Sequence, residues 1–359
     1  MNTRTKIFRF RGFVSIRSLL LILAFSFLSD MALGLDFTAY EYQKAGNNRI
    51  VVYNHSGVNV KDRITVTRDL KRIQKFLSTK PASPTYVHLF HTKKSNLLTI
   101  GRKVCANKKD TYSGCPSSWA KNRSSRDASV DYRGRSYGGK GVSNCLIQLG
   151  EWWWDRKSPD SHPERLSVVA HEYFHCHQFG LATYFDREKR YGWAVNGYPD
   201  QEKTAGIHGP DWLSEGAATY FGVNYAAKVS KGWDYKEKMR YKLDQARSAV
   251  KKGAKLQLYI SQDQSNARGD NFAYDGGAWA VAYLANRKKS NKQVFTDYYK
   301  DIAELEWQWR KKGKKNYGWQ ASFKKHFGLT VSQFYKKFHR FMKQPVTKQM
   351  KILMTPGKK

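Results

Sequence analysis

The stretch His171-Glu172-Tyr173-Phe174-His175 constrains this chain more than any other. On a helix turning about 100° per residue, His175 stands only about 40° round from His171 and one turn along. Both imidazoles can therefore reach one metal ion. Glu172 shares that flank but is offset, so it can touch a water on the metal without binding the metal itself. This is the arrangement of a zinc hydrolase helix. The flanks read the same way. Ser161 with Glu164 forms a capping box, Pro163 suits the first turn, and Gly180 is a natural end for the helix.

Some forty residues on, the chain reads Asp211-Trp212-Leu213-Ser214-Glu215-Gly216-Ala217-Ala218-Thr219-Tyr220. Asp211 is expected to cap a second helix whose first turn presents Glu215, while Gly216 and Ala217 let another helix come close. Two histidines and one carboxylate leave one tetrahedral position for water, which is the catalytic form of a zinc site. With these residues in view, the chain resembles the gluzincin metallopeptidases. Their pattern, His-Glu-x-x-His and then Trp-Leu-x-Glu-Gly-x-Ala-x-Tyr, is met at Trp212, Leu213, Glu215, Gly216, Ala218 and Tyr220. The resemblance implies an α+β, thermolysin-like fold, a small mixed sheet followed by a mainly helical lobe. It also implies Zn2+ held by His171, His175 and Glu215, with Glu172 as general base.

Residues 1–34 read as a secretory signal peptide. A basic, acid-free start leads into the apolar run Leu19 to Leu28, and Ala32-Leu33-Gly34 offers small residues for cleavage. Asp30 leaves an uncleaved anchor as the alternative. No later stretch is apolar for long enough to span a bilayer, so a secreted or periplasmic protein is expected. Residues 35–345 then form one domain, mainly β over 35–160 and mainly helical over 161–345, with a basic tail at 346–359. The four cysteines, Cys105, Cys115, Cys145 and Cys176, suit an oxidising compartment. Three pairings stay open. Cys105 with Cys115 would close a short loop, and Cys145 with Cys176 would tie a strand to the metal helix. Cys176 and His177 point away from the histidine face.

In the first half, strands are expected at Arg49 to Tyr53, Tyr86 to Phe90 and Cys145 to Leu149, and a helix at Asp69 to Leu77. The polar, basic span Gly101 to Arg135 reads as a loop. His88 and His91 lack a carboxylate partner in the strand pattern and read as structural. In gluzincins the edge strand before the metal helix pairs with the substrate backbone, and the resemblance gives that role to Cys145–Leu149. The aminopeptidase box Gly-x-Met-Glu-Asn is replaced by Gly141-Val142-Ser143-Asn144. No acid there holds a free amine, so an endopeptidase is expected. Trp152-Trp153-Trp154 is read as packing under the metal helix. Phe179 to Pro210 is read as a long loop over the cleft, with His208 a polar loop residue.

The closing pattern also resembles small secreted gluzincins. It comprises Tyr274-x-x-Gly277-Ala278, the helix around Phe323, the turn Phe327-Gly328 and the recurrence Phe334, Phe338. The resemblance thus runs from Cys145 to Met342. It implies an oxyanion donor from the helical half. Tyr274, just before Gly276-Gly277, is the candidate, and Tyr220 is read as core.

The formal net charge is +35, more than solubility requires. It points to an anionic partner such as lipopolysaccharide, cell wall or acidic polysaccharide, with Arg310-Lys311-Lys312-Gly313-Lys314-Lys315 as the densest run. No nucleic-acid motif accompanies it, so sequence-specific nucleic-acid binding is not expected. The expected activity is a zinc endopeptidase acting on a peptide or protein substrate. Two alternatives are an inactive gluzincin-fold module that binds anionic surfaces and a zinc amidase acting on cell-wall amides.

Overall fold

The computed structural model describes residues 50–78, 85–107, 113–137, 140–155, 162–182, 209–290, 292–311 and 318–356. The signal-peptide reading, Ser161, His208, most of the expected cleft loop and residues 312–315 of the basic run lie outside them. The fold is mixed α+β, a small four-stranded sheet joined to a mostly helical body.

Strands β1 (Ile50–Val52), β2 (Thr85–Phe90), β3 (Ala128–Tyr137) and β4 (Lys140–Gly150) lie in the order β1-β2-β4-β3. The first three in that order run parallel, and β3 pairs antiparallel with β4. This corrects one expectation. The strand holding Cys145–Leu149 is interior, paired on both sides, so it has no free edge for a substrate. The edges are β1 and β3, and β3 lies in a stretch read from sequence as loop. That stretch also holds the helices α2 (Leu97–Asn107) and α3 (Cys115–Lys121). Its apolar residues are few, and Ile100, Val104 and Trp119 gather with Phe90 in a small cluster of their own. The first lobe therefore mixes helix and strand and is not mainly β.

Helix α1 (Val60–Leu77) starts well before the expected Asp69. Asn59 sits in extended backbone and its side chain accepts from the Asp62 N–H at 2.9 Å, which satisfies an otherwise orphan donor. Leu70, Ile73, Phe76 and Leu77 form its buried stripe. Each such side chain contributes roughly 1.5–3 kcal/mol on burial.

Helices α4 (His162–Ala182) and α5 (Asp211–Val229) are buried nearly all round, as befits the centre of a domain. Gly180 does not end α4, because Leu181 and Ala182 are buried in the core and carry the helix on. Nor does Asp211 cap α5. Pro210 holds that position, while the N–H groups of Asp211 and Trp212 donate to the carbonyls of Ile260 and Tyr259 at 2.9 and 3.1 Å. With its N–H groups satisfied by backbone, the helix needs no side-chain cap.

Beyond α5 come α6 (Tyr235–Lys251), α7 (Gln262–Arg268), α8 (Phe272–Lys288), α9 (Lys292–Lys311), α10 (Gly318–Phe327), α11 (Val331–Met342) and α12 (Val346–Met350). Phe334, Phe338 and Phe341 bury one face of α11, which opens with a capping box between Thr330 and Gln333. Trp212 stacks on Phe334 at 5.4 Å and donates to the Tyr335 hydroxyl at 3.1 Å. The closing helix thus grips the start of α5, one turn before Glu215. The expected basic tail is no separate tail over its described part. Gln349 is fully buried, and Ile352, Leu353 and Met354 pack on the core.

Both disulfides are intramolecular. Cys105–Cys115 joins α2 to α3, and Cys145–Cys176 fastens β4 to α4. No helix of the described residues is long and apolar enough to cross a membrane.

Candidate metal centre

His171 and His175 leave α4 one turn apart and meet Glu215, one turn into α5. The His171 and His175 Nε2 atoms are 3.1 Å apart, and each is 3.2 Å from Glu215 Oε2. Tetrahedral zinc with bonds of about 2.0–2.1 Å would set its donors about 3.3 Å apart. The triangle is close to that size, so the three residues fit a metal ion. Among the described residues this is the one group of three such donors. The donor set by itself also suits iron.

Neighbouring side chains orient the imidazoles. Gln178 donates its amide to the Ser214 carbonyl at 2.9 Å and to the Tyr299 hydroxyl at 2.8 Å. That leaves its Oε1 to accept from His175 Nδ1 at 2.9 Å, which turns Nε2 toward Glu215. Thr219 Oγ1 lies 3.3 Å from His171 Nδ1 and does the same for that ring. Such contacts fix tautomer and direction. Gln178 and Thr219 were not singled out from the sequence. Their spacings, three after His175 and four after Glu215, are the helical signals that would have found them.

The electrostatics match the geometry. Burial pushes the His175 imidazole down, but the charge and hydrogen bond of Glu215 outweigh it and hold His175 at about 9. Burial pushes Glu215 up, yet the His175 charge and the hydrogen bonds of both imidazoles hold it well below the usual carboxylate range. A proton and a cation therefore compete for the same atoms. Glu172 is buried, which raises its carboxyl, while the nearby His171 and His175 oppose that rise.

His171, Glu172, Thr219 and Tyr274 share the wall of a cavity of about 400 Å³, continued by Val168, Val223, Trp233 and Tyr241. Tyr274, on the first turn of α8, lies nearly parallel to the His171 ring at 5.9 Å and stays 40% exposed. Burial, and then the charges of Glu215, Asp211 and Glu172, raise its hydroxyl well above the ordinary tyrosine value. It remains a protonated donor.

The remaining candidates fall elsewhere. Tyr220 is fully buried. His177 is buried against Phe174, away from the triangle. His88 pairs with His55 at 3.0 Å under Tyr53. His91 does have a carboxylate beside it, Glu151 at 3.7 Å, contrary to the sequence reading. Trp154 is buried and donates to the Leu149 carbonyl, and Trp152 lies under the Arg126 guanidinium. No family model matches the chain, and no curated protein matches its sequence.

Proposed function

We propose that this chain is a secreted zinc-dependent endopeptidase of thermolysin-like, gluzincin type. The observation that carries the reading is the gathering of three donor atoms beside the buried Glu172, with His171 and Glu172 on the wall of an open cavity. The donors alone would suit several metals. A buried carboxylate on the same helix, next to the triangle but outside it, favours hydrolysis.

A zinc ion at His171, His175 and Glu215 would supply Lewis-acid chemistry, polarising a carbonyl and acidifying water. The protein's own residues do the rest. Glu172 accepts the proton of the attacking water and passes it to the leaving amine. Burial favours this role by bringing the carboxylate closer in basicity to its task. Tyr274 donates its hydroxyl hydrogen to the oxygen on which negative charge develops. The substrate backbone adds to β3, the antiparallel edge strand that lies against α4.

The test is cleavage of a mixed peptide library by the full chain before and after dialysis against chelator. Cleavage should vanish with the metal and return with added zinc. Glu172→Gln should lower turnover by about a hundredfold or more while keeping the metal. Cleavage that ignores chelator, or near-normal turnover by E172Q, would refute the proposal.

A further inference from the structure

Away from the cleft, the outer face of α1 carries a dense row of cations. Arg63, Arg68, Lys71, Arg72 and Lys75 line an open groove of about 630 Å³, with Val52, Ile64 and Thr67 as its uncharged wall. Among the described residues, no carboxylate lines it. Asp69 reaches Arg72 at 3.8 Å, and Asp62 is buried. Arg68, Lys71, Arg72 and Lys75 are exposed, so they are not needed to hold the core together. Gathering like charges in one concavity costs energy that an anionic ligand would relieve.

We propose that this groove binds a linear anionic polysaccharide. Arg68, then Lys71 with Arg72, then Lys75 recur once per helical turn, about every 5.4 Å, and this row runs roughly 10 Å, with Arg63 at the groove's far end. A polymer bearing an anionic group on successive units meets a cation at each turn. Arginine forks suit sulfate and carboxylate groups. Ile64, 57% exposed, and Val52 offer aliphatic surface to sugar rings. Single-stranded nucleic acid would want aromatic platforms for its bases, and among the described residues none lines the groove. A bilayer surface would want a broad apolar face beside the cations, whereas Val60 and Ile64 are the exposed large apolar side chains of α1.

The groove uses none of the residues of the metal centre, so its test is independent of peptidase activity. The full chain is titrated with a heparin oligosaccharide, alongside the variant R68Q/K71Q/R72Q/K75Q. A control, K324Q/K336Q/K343Q/K348Q, removes the same charge from α10 to α12. The groove variant should bind at least about tenfold more weakly, with a salt slope shallower by roughly 3 for four lost contacts. The control should change by less than about twofold. Hydrogen exchange of the unmutated protein should show the oligosaccharide protecting Val60–Leu77. Equal losses in both variants, or protection only elsewhere, would overturn the assignment. Tighter binding of single-stranded DNA or anionic vesicles through the same four residues would overturn it too.

Discussion

The role proposed for Tyr274 rests on its position. Its ring lies along His171 and its hydroxyl stays protonated by burial and by the carboxylates around it. Tyr274→Phe keeps the ring contact and removes only the donor. We expect kcat to fall about a hundredfold with KM little changed, because the lost bond forms only as charge develops. A kcat equal to that of the unmutated protein would remove Tyr274 from the chemistry. At this scale the centre was largely legible from sequence. His171, Glu172 and His175 are set by helical spacing alone, and Glu215 by its place one turn into the next helix. What spacing could not show was the direction of each ring, so Gln178 and Thr219 emerged only from the fold.

Among the elements, the contact of α5 with α8 sets the geometry. A methyl group at Gly216 would land on the backbone of Gly277, and one at Gly277 on the Trp212 carbonyl. Only glycine at both positions lets the Glu215 and Tyr274 helices approach this closely. Gly277→Ala should force them apart, lower stability by about 1–3 kcal/mol and reduce turnover with it. Gly232→Ala, where an added methyl meets nothing within 4 Å, serves as the neutral comparison. Equal urea midpoints for the two variants would contradict the argument. The glycines' use in close approach was readable, since Gly216 stands beside Glu215. The sheet was less so. β3 carries Asp131, Arg133 and Arg135, the charged composition typical of an edge strand. Composition therefore hid it as a loop, and with it the strand order that makes β4 interior.

For the whole molecule, two facts dominate: three potential metal-binding side chains held between two central helices, and a net charge of +35. The disulfide from Cys145 to Cys176 joins the sheet to the metal helix, so the centre is fixed to both halves of the fold. The charge is readable in the sequence, but its concentration along one groove is not, because that depends on which face of α1 the core leaves outside. The proposed chemistry depends on the metal before anything else. The decisive measurement is zinc content per chain after exchange into metal-limited buffer, for the unmutated protein and for E172Q, H175A and E215A. About one zinc per chain is expected for the unmutated protein and for E172Q, because Glu172 is no ligand, and little or none for H175A and E215A. An unmutated protein that holds no zinc, or an H175A variant that holds as much, would contradict the account.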